Sequence, residues 1–254
     1  MPILEGKKVL IIGIANERSI AWGCAEKMHA EGAELAITYL NKKAEPHVRP
    51  LARKVDSPII MPCDVEEPGE LENVYKRIAS DWGRLDFVLH SIAYAPKTDL
   101  QGRIVDCSRD GFIQAMSVSV YSFIHMAKLA EPLMDNGGCL LAMTYYGAEK
   151  VVESYNIMGP VKAALEATGR YMAAELGSKH IRVNTISPGP LNTRAASGIK
   201  NFDALLEKAV AKAPEHRLIS IEDVGTLASF LVSDNAQAIT GDTIHVDAGY
   251  HIVD

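Results

Sequence analysis

Short apolar runs rich in Val and Ile recur along the chain at 7–13, 34–39, 58–64, 85–91, 139–144, 182–187 and 243–246. Their apolar residues are consecutive rather than alternating, which predicts strands buried on both faces. Between them, apolar positions return at helical spacing over 19–30, 44–55, 70–82, 110–134, 161–176, 203–211 and 222–231. Strands alternating with helices predict right-handed βαβ units: an α/β fold, with a doubly wound parallel sheet of seven strands and helices on both faces. No repeat, linker or low-complexity segment interrupts this order, so residues 1–254 are expected to form a single domain. The irregular stretches 93–106 and 189–202 each follow a predicted strand. Open α/β sheets bind ligands beyond the carboxyl ends of their strands, so these stretches are the expected walls of a site.

Composition narrows the function classes. A net charge of −6 without a Lys/Arg cluster excludes the basic face that nucleic acid requires. No apolar run approaches the ~20 residues of a membrane span, and Met1 to Lys8 leave no room for a signal peptide before the first strand. Cys24, Cys63, Cys107 and Cys139 are scattered, with no Cys-x-x-Cys pair. Reduced cysteines and a cytoplasmic location are therefore expected. The eight histidines show no ligand spacing, and no metal is expected.

Candidate chemistry gathers at strand ends. After the first strand, Gly13-Ile14-Ala15-Asn16-Glu17-Arg18-Ser19-Ile20-Ala21-Trp22-Gly23 turns into a helix, where backbone N–H groups and the helix dipole suit a pyrophosphate. It is not Gly-x-Gly-x-x-Gly, and the plain alternative is a strand–helix turn with Ser19 as its N-cap. Asp64-Val65 follows the third strand and Ser91-Ile92-Ala93 the fourth. Asp64 suits an adenine amino group or merely caps a turn, while small side chains at Ser91 and Ala93 let a dinucleotide lie against backbone. The tip of the second strand, Thr38 to Lys43, has no acid to chelate ribose hydroxyls and no Arg for a 2′-phosphate. NADH is the expected cofactor, with Lys42 and Lys43 leaving NADPH open.

Tyr145 and Tyr155 stand ten residues apart, and Lys162 follows the second by seven. A phenol donates a hydrogen bond to a carbonyl oxygen that becomes an enolate, and an ammonium holds a ribose and adds positive potential. Seven helical residues rotate by about 700° and rise roughly 10 Å, setting both groups to one side. Pro160 belongs in a first turn, so the helix is expected to start near Asn156 or Ile157 with Tyr155 at its entrance. The plain alternatives are an interior phenol, a snorkelling lysine and, for Tyr145, an aromatic wall.

The Gly13–Gly23 turn, Cys63-Asp64-Val65, His90-Ser91-Ile92-Ala93-Tyr94-Ala95-Pro96, Tyr145 with Tyr155 and Lys162, and Arg182-Val183-Asn184 together resemble the short-chain dehydrogenase/reductase superfamily. With Ser187-Pro188-Gly189-Pro190, Ala195-Ala196-Ser197-Gly198-Ile199-Lys200 and His245-Val246-Asp247-Ala248-Gly249, the chain resembles its bacterial enoyl-acyl-carrier-protein reductases of the FabI type over nearly its whole length. Ordinary members of the superfamily place Lys four residues after Tyr and Ser thirteen before it, where this chain has Gly159 and Ala142.

The resemblance implies reduction of the C2=C3 bond of trans-2-enoyl thioesters by hydride from NADH, with Tyr155 stabilising the enolate and Lys162 on the nicotinamide ribose. It implies cofactor contacts from Gly13, Ser19, Ile20, Asp64, Val65 and Ser91, continued by Ile92, Ala93, Lys162, Pro190, Leu191 and Thr193. The acyl chain would meet Ala95, Tyr145, Tyr155, Met158, Ala195, Ala196 and Ile199, under a mobile lid over 189–202 built from prolines and small residues. The implied partner is enoyl-acyl-carrier protein, and the implied assembly a homotetramer. Arg194 and Lys200 offer charge to an acidic carrier, but Asp203 and Ala204 stand where the family often carries basic residues. Diphenyl-ether inhibitors of the family stack at the position of Ala93 and Tyr94, and the Ala93 methyl is expected to crowd them. Two other readings are a carbonyl or alcohol dehydrogenase, whose Ser and Tyr-x3-Lys are missing, and an NADH-sensing binding protein, against which Tyr155 and Lys162 argue.

Overall fold

The computed structural model describes residues 2–193 and 202–253, and among them seven parallel strands make one sheet. They are β1 (Lys8–Ile12), β2 (Glu34–Tyr39), β3 (Ile59–Pro62), β4 (Phe87–His90), β5 (Gly138–Met143), β6 (Ile181–Pro188) and β7 (Thr243–Val246). The order across the sheet is β3-β2-β1-β4-β5-β6-β7. The helices in chain order are α1 (Ile20–Ala30), α2 (Glu45–Lys54), α3 (Glu70–Trp82), α4 (Lys97–Gln101), α5 (Arg109–Met116), α6 (Ser122–Ala130), α7 (Met158–Leu176), α8 (Phe202–Lys212) and α9 (Ile221–Val232).

Because successive strand side chains point to opposite faces, each apolar strand feeds two cores. Leu10, Ile12, Val88 and Leu140 pack on one side with Ile78 of α3, Phe123 of α6 and Leu165 of α7. Val9, Ile11, Leu89 and Leu141 pack on the other with Met28 of α1, Val48 of α2 and Leu231 of α9. Burying each such side chain stabilises the fold by about 1.5–3 kcal/mol, which is why an uninterrupted apolar run becomes a central strand.

Strand order reverses at β1, whose neighbours are β2 and β4, so a crevice opens beyond the carboxyl ends of β1 and β4. Register continues across it, with Ile12 opposite His90 and His90 opposite Ala142. At the end of β1, Gly13 has φ 120, and a β-carbon there would lie 2.1 Å from the Ser91 carbonyl oxygen. Only glycine lets the two strand ends approach this closely.

Three elements depart from the sequence pattern. The helix expected over 110–134 is α5, a wide π-type turn over Ser117–Tyr121, and then α6. The Ser119 hydroxyl accepts the Tyr94 N–H at 3.0 Å, and Ser122 donates to the Val118 carbonyl at 2.6 Å. Hydroxyls that take up backbone groups in this way bend a helix without altering its apolar period. The stretch 93–106, expected to be irregular, contains α4. Finally, α7 begins at Met158 rather than Asn156 or Ile157, because Asn156 is left-handed at φ 45, and Pro160 is its third residue. Among the described residues no helix is long and apolar enough to cross a membrane.

Candidate active site

The ends of β4, β5 and β6 and the start of α7 enclose a cavity of about 210 Å³. Ile20, Ser91, Ile92 and Ala93 line one part of it, and Ala95, Tyr145, Tyr155, Met158 and Lys162 another. Pro190, Leu191 and Thr193, which follow β6, complete the wall. The structure thus brings together twelve predicted residues that lie far apart in the chain. Gly13, Ser19, Asp64 and Val65 are outside that lining, and Ala195, Ala196 and Ile199 lie outside the described residues.

Tyr155 sits in a tight turn leading into α7. Its carbonyl accepts the Met158 N–H at 3.0 Å, and Asn156 Nδ2 donates to the Leu100 carbonyl at 2.8 Å. The turn rather than the helix aims the phenol, so the one-helix geometry expected for Tyr155 and Lys162 does not apply. The rings of Tyr145 and Tyr155 meet edge to face with centroids 4.8 Å apart. Burial, and then the neighbouring Tyr145 and Glu166, push the Tyr155 phenol well above its usual range. Tyr145 is raised too, first by burial and then by Tyr250 and Tyr146. Both are neutral hydrogen-bond donors at physiological pH.

Lys162 is 5% exposed, and its Nζ donates to the Met143 carbonyl at 2.7 Å. Burial brings its ammonium down to about 8, against the opposing pull of Glu166. Glu166 follows Lys162 by one helical turn, is itself buried, and accepts the Thr144 hydroxyl at 2.6 Å. At the end of β4 His90 is fully buried with Nε2 2.8 Å from the Ser122 hydroxyl, and burial, helped by the charge of Lys162, lowers it to about 3. His90 is therefore a neutral structural ring.

The cofactor end is more ordered than its sequence suggested. Ser19 occupies the N-cap position of α1, but its hydroxyl does not cap the helix. It accepts the N–H groups of Ala15 at 2.9 Å and Asn16 at 3.1 Å, which shapes the turn. The first N–H groups of α1, beginning at Ile20 on the cavity wall, are left for an anion by the geometry of a helix start. Asp64 Oδ1 accepts the Glu66 N–H at 3.0 Å, the turn-capping role, and Val65 packs against the core. Near the cavity, the hydroxyls of Tyr145 and Ser187 are buried without a hydrogen-bond partner among the described residues. Buried polar atoms in that state fit a polar ligand, and a dinucleotide along these strand ends would supply one.

Sequence reasoning missed four contributors. Gly147 supports the Tyr155 ring, Thr144 and Glu166 brace the lysine side of the site, and Ser119 holds the Tyr94 backbone from the π-type turn. Only the Lys-x-x-x-Glu spacing of 162 and 166 was a readable signal, since it places both on one helix face.

Residues 13–251 match the family model described as enoyl-(acyl carrier protein) reductase. The chain belongs to the enoyl-acyl-carrier-protein reductase family. It is 48% identical, over 100% of its own length and 94% of the relative's, to the enoyl-[acyl-carrier-protein] reductase [NADH] FabI of Aquifex aeolicus. The solved enoyl-acyl-carrier-protein reductase of Anaplasma phagocytophilum in complex with NAD superposes with a TM-score of 0.95 at 48% identity, covering 99% of this chain and 96% of that one. The Bacillus cereus enoyl-acyl carrier protein reductase with NADP+ and an indole naphthyridinone gives a TM-score of 0.97 at 43% identity, covering all of both chains. Thirteen residues before Tyr155 the chain has no hydroxyl: Ala142 lies wholly in the core.

Proposed function

We propose that the chain is an NADH-dependent enoyl-acyl-carrier-protein reductase, reducing the C2=C3 bond of trans-2-enoyl thioesters, with NADPH as the second cofactor. The carrying observation is the placement of a neutral Tyr155 phenol and a buried Lys162 in one cavity at the end of β5. Bound NADH supplies the hydride. Tyr155 donates a hydrogen bond to the thioester oxygen and stabilises the enolate as charge develops there. Lys162 would hold the ribose hydroxyls and add positive potential to a site where burial strengthens every charge. Tyr145 packs its ring edge against Tyr155 and closes the wall around the acyl chain. Ser91, Ile92, Ala93 and the start of α1 are assigned to the dinucleotide, and Met158, Ala95, Ala195, Ala196 and Ile199 to the acyl group.

Beyond this, we assign 189–202, of which 194–201 lie outside the described residues, to a substrate-covering lid, the assembly to a homotetramer, and the location to the cytoplasm, as parts of the same reading. The acidic carrier would dock beside the cavity mouth. Lys150, Lys208 and Lys212 line a neighbouring hollow of about 620 Å³, and Leu205 belongs to the walls of both. These lysines supply charge that Asp203 and Ala204 do not.

The test is absorbance loss of NADH and of NADPH with crotonyl and longer enoyl thioesters, beside simple ketones. Oxidation with the thioesters is expected. Activity confined to ketones, or binding of NADH without turnover, contradicts the reading.

A further inference from the structure

Tyr155 stands between two left-handed residues: Ser154 has φ 63 and Asn156 φ 45. Side chains other than glycine avoid that region, and Asn is among the few that tolerate it. A turn of this shape needs support from outside itself. Its own backbone bonds are the Tyr155 N–H to the Val152 carbonyl at 3.1 Å, and the Met158 N–H to the Tyr155 carbonyl at 3.0 Å. A further bond leaves the turn altogether: Asn156 Nδ2 donates to the Leu100 carbonyl at 2.8 Å, across 56 residues of chain.

The acceptor is well placed for this. Leu100 lies in the last turn of α4, where helix carbonyls have no partner within the helix. The helix itself is anchored from its other side by Asp99, which is buried and accepts the Ser108 N–H at 2.6 Å and the Ser108 hydroxyl at 3.2 Å. Ser108 is the N-cap of α5, so α4 is fixed to the body of the fold before Asn156 reaches it. Leu100 and Tyr155 both line the substrate cavity, whereas Asn156 does not. One amide thus joins the wall of the cavity to the turn that carries the phenol.

We propose that Asn156 is the positioning residue of Tyr155: it adopts the left-handed conformation that turns the phenol into the cavity, and through the Leu100 carbonyl it ties that turn to the α4 wall. Asn156 touches neither substrate nor cofactor and affects the rate through Tyr155. The inference rests on Tyr155 being the donor to the enolate oxygen.

The experiment is a double-mutant cycle on kcat for an enoyl thioester, with NADH binding followed by fluorescence. Asn156→Ala disfavours the left-handed conformation and removes the amide; Asn156→Gly adopts that conformation freely and removes the amide alone. In the wild-type background kcat is expected to fall about tenfold in Asn156→Ala and about threefold in Asn156→Gly, with the NADH Kd within about twofold. In the Tyr155→Phe background, where no hydroxyl is left to aim, each substitution should cost less than about twofold, because residues that act as a unit are not additive. Asn156→Gly completes the cycle if Asn156→Ala does not fold. The same loss in both backgrounds means a merely structural role and overturns the proposal while leaving the role of Tyr155 intact. An unchanged kcat in either single variant of Asn156 overturns it as well. A Tyr155→Phe protein with the wild-type rate overturns both the proposal and the reading of Tyr155 on which it rests.

Discussion

Gly147 lies flush against the ring of Tyr155: a β-carbon at 147 would stand 2.4 Å from Tyr155 Cδ1 and 2.7 Å from Cε1. No real β-carbon is tolerated there, so the phenol owes its position to a missing side chain. Gly147→Ala is expected to displace the ring and lower kcat by at least about tenfold, which corresponds to ~1.4 kcal/mol of transition-state stabilisation. The KM for NADH should change little. Steady-state kinetics checks this, and an unchanged kcat would show that the ring's placement does not matter.

Lys162 should make activity and stability respond to pH in opposite senses. Its ammonium ionises at about 8 in the folded chain against 10.5 for an unburied lysine. Between those values the unfolded chain binds the extra proton, so stability rises with pH while the charge needed for activity is lost. Urea midpoints and rates from pH 7 to 10.5, with Lys162→Met as reference, separate the two trends.

His90 should dominate a part of acid sensitivity. It ionises near 3 when buried, against a usual 6.5. As pH falls from 6.5 toward 3, the unfolded chain takes up a proton that the fold refuses, which costs stability on the order of 4 kcal/mol. His90→Gln is expected to flatten that slope in chemical denaturation, even if its stability at pH 7 is lower.

Charge reversal on α8 tests the carrier surface. Lys208→Glu combined with Lys212→Glu is expected to raise KM for carrier-bound substrate by roughly tenfold at low salt, and to leave turnover of a small soluble enoyl thioester unchanged. Equal effects on both substrates would remove these lysines from docking.

Much of the architecture was legible because burial on both sheet faces leaves a strong mark in sequence. The run Val9-Leu10-Ile11-Ile12 divides between two cores, and nothing but a central strand uses four consecutive apolar residues in that way. The Glu70–Trp82 helix was readable at both ends for a similar reason, its Leu71, Val74, Tyr75 and Ile78 keeping one buried face. Tyr155 and Lys162 were legible as a pair, but not their geometry. The left-handed Asn156 and the turn that aims Tyr155 depend on the Leu100 carbonyl, contributed from far along the chain. The π-type turn at Ser117–Tyr121 was hidden because its cause, a hydroxyl meeting the Tyr94 backbone, is also a tertiary contact. Gly147 and Thr144 were invisible for the same reason: neither matters until Tyr155 and Glu166 arrive beside it.

The most direct measurement compares wild type with Tyr155→Phe for NADH oxidation by crotonyl thioester, with NADH binding followed independently by fluorescence. Removing one hydroxyl that donates to the developing enolate should lower kcat by about tenfold to a thousandfold and leave the NADH Kd within about twofold. A Tyr155→Phe protein that binds NADH normally and turns over at the wild-type rate would contradict the account.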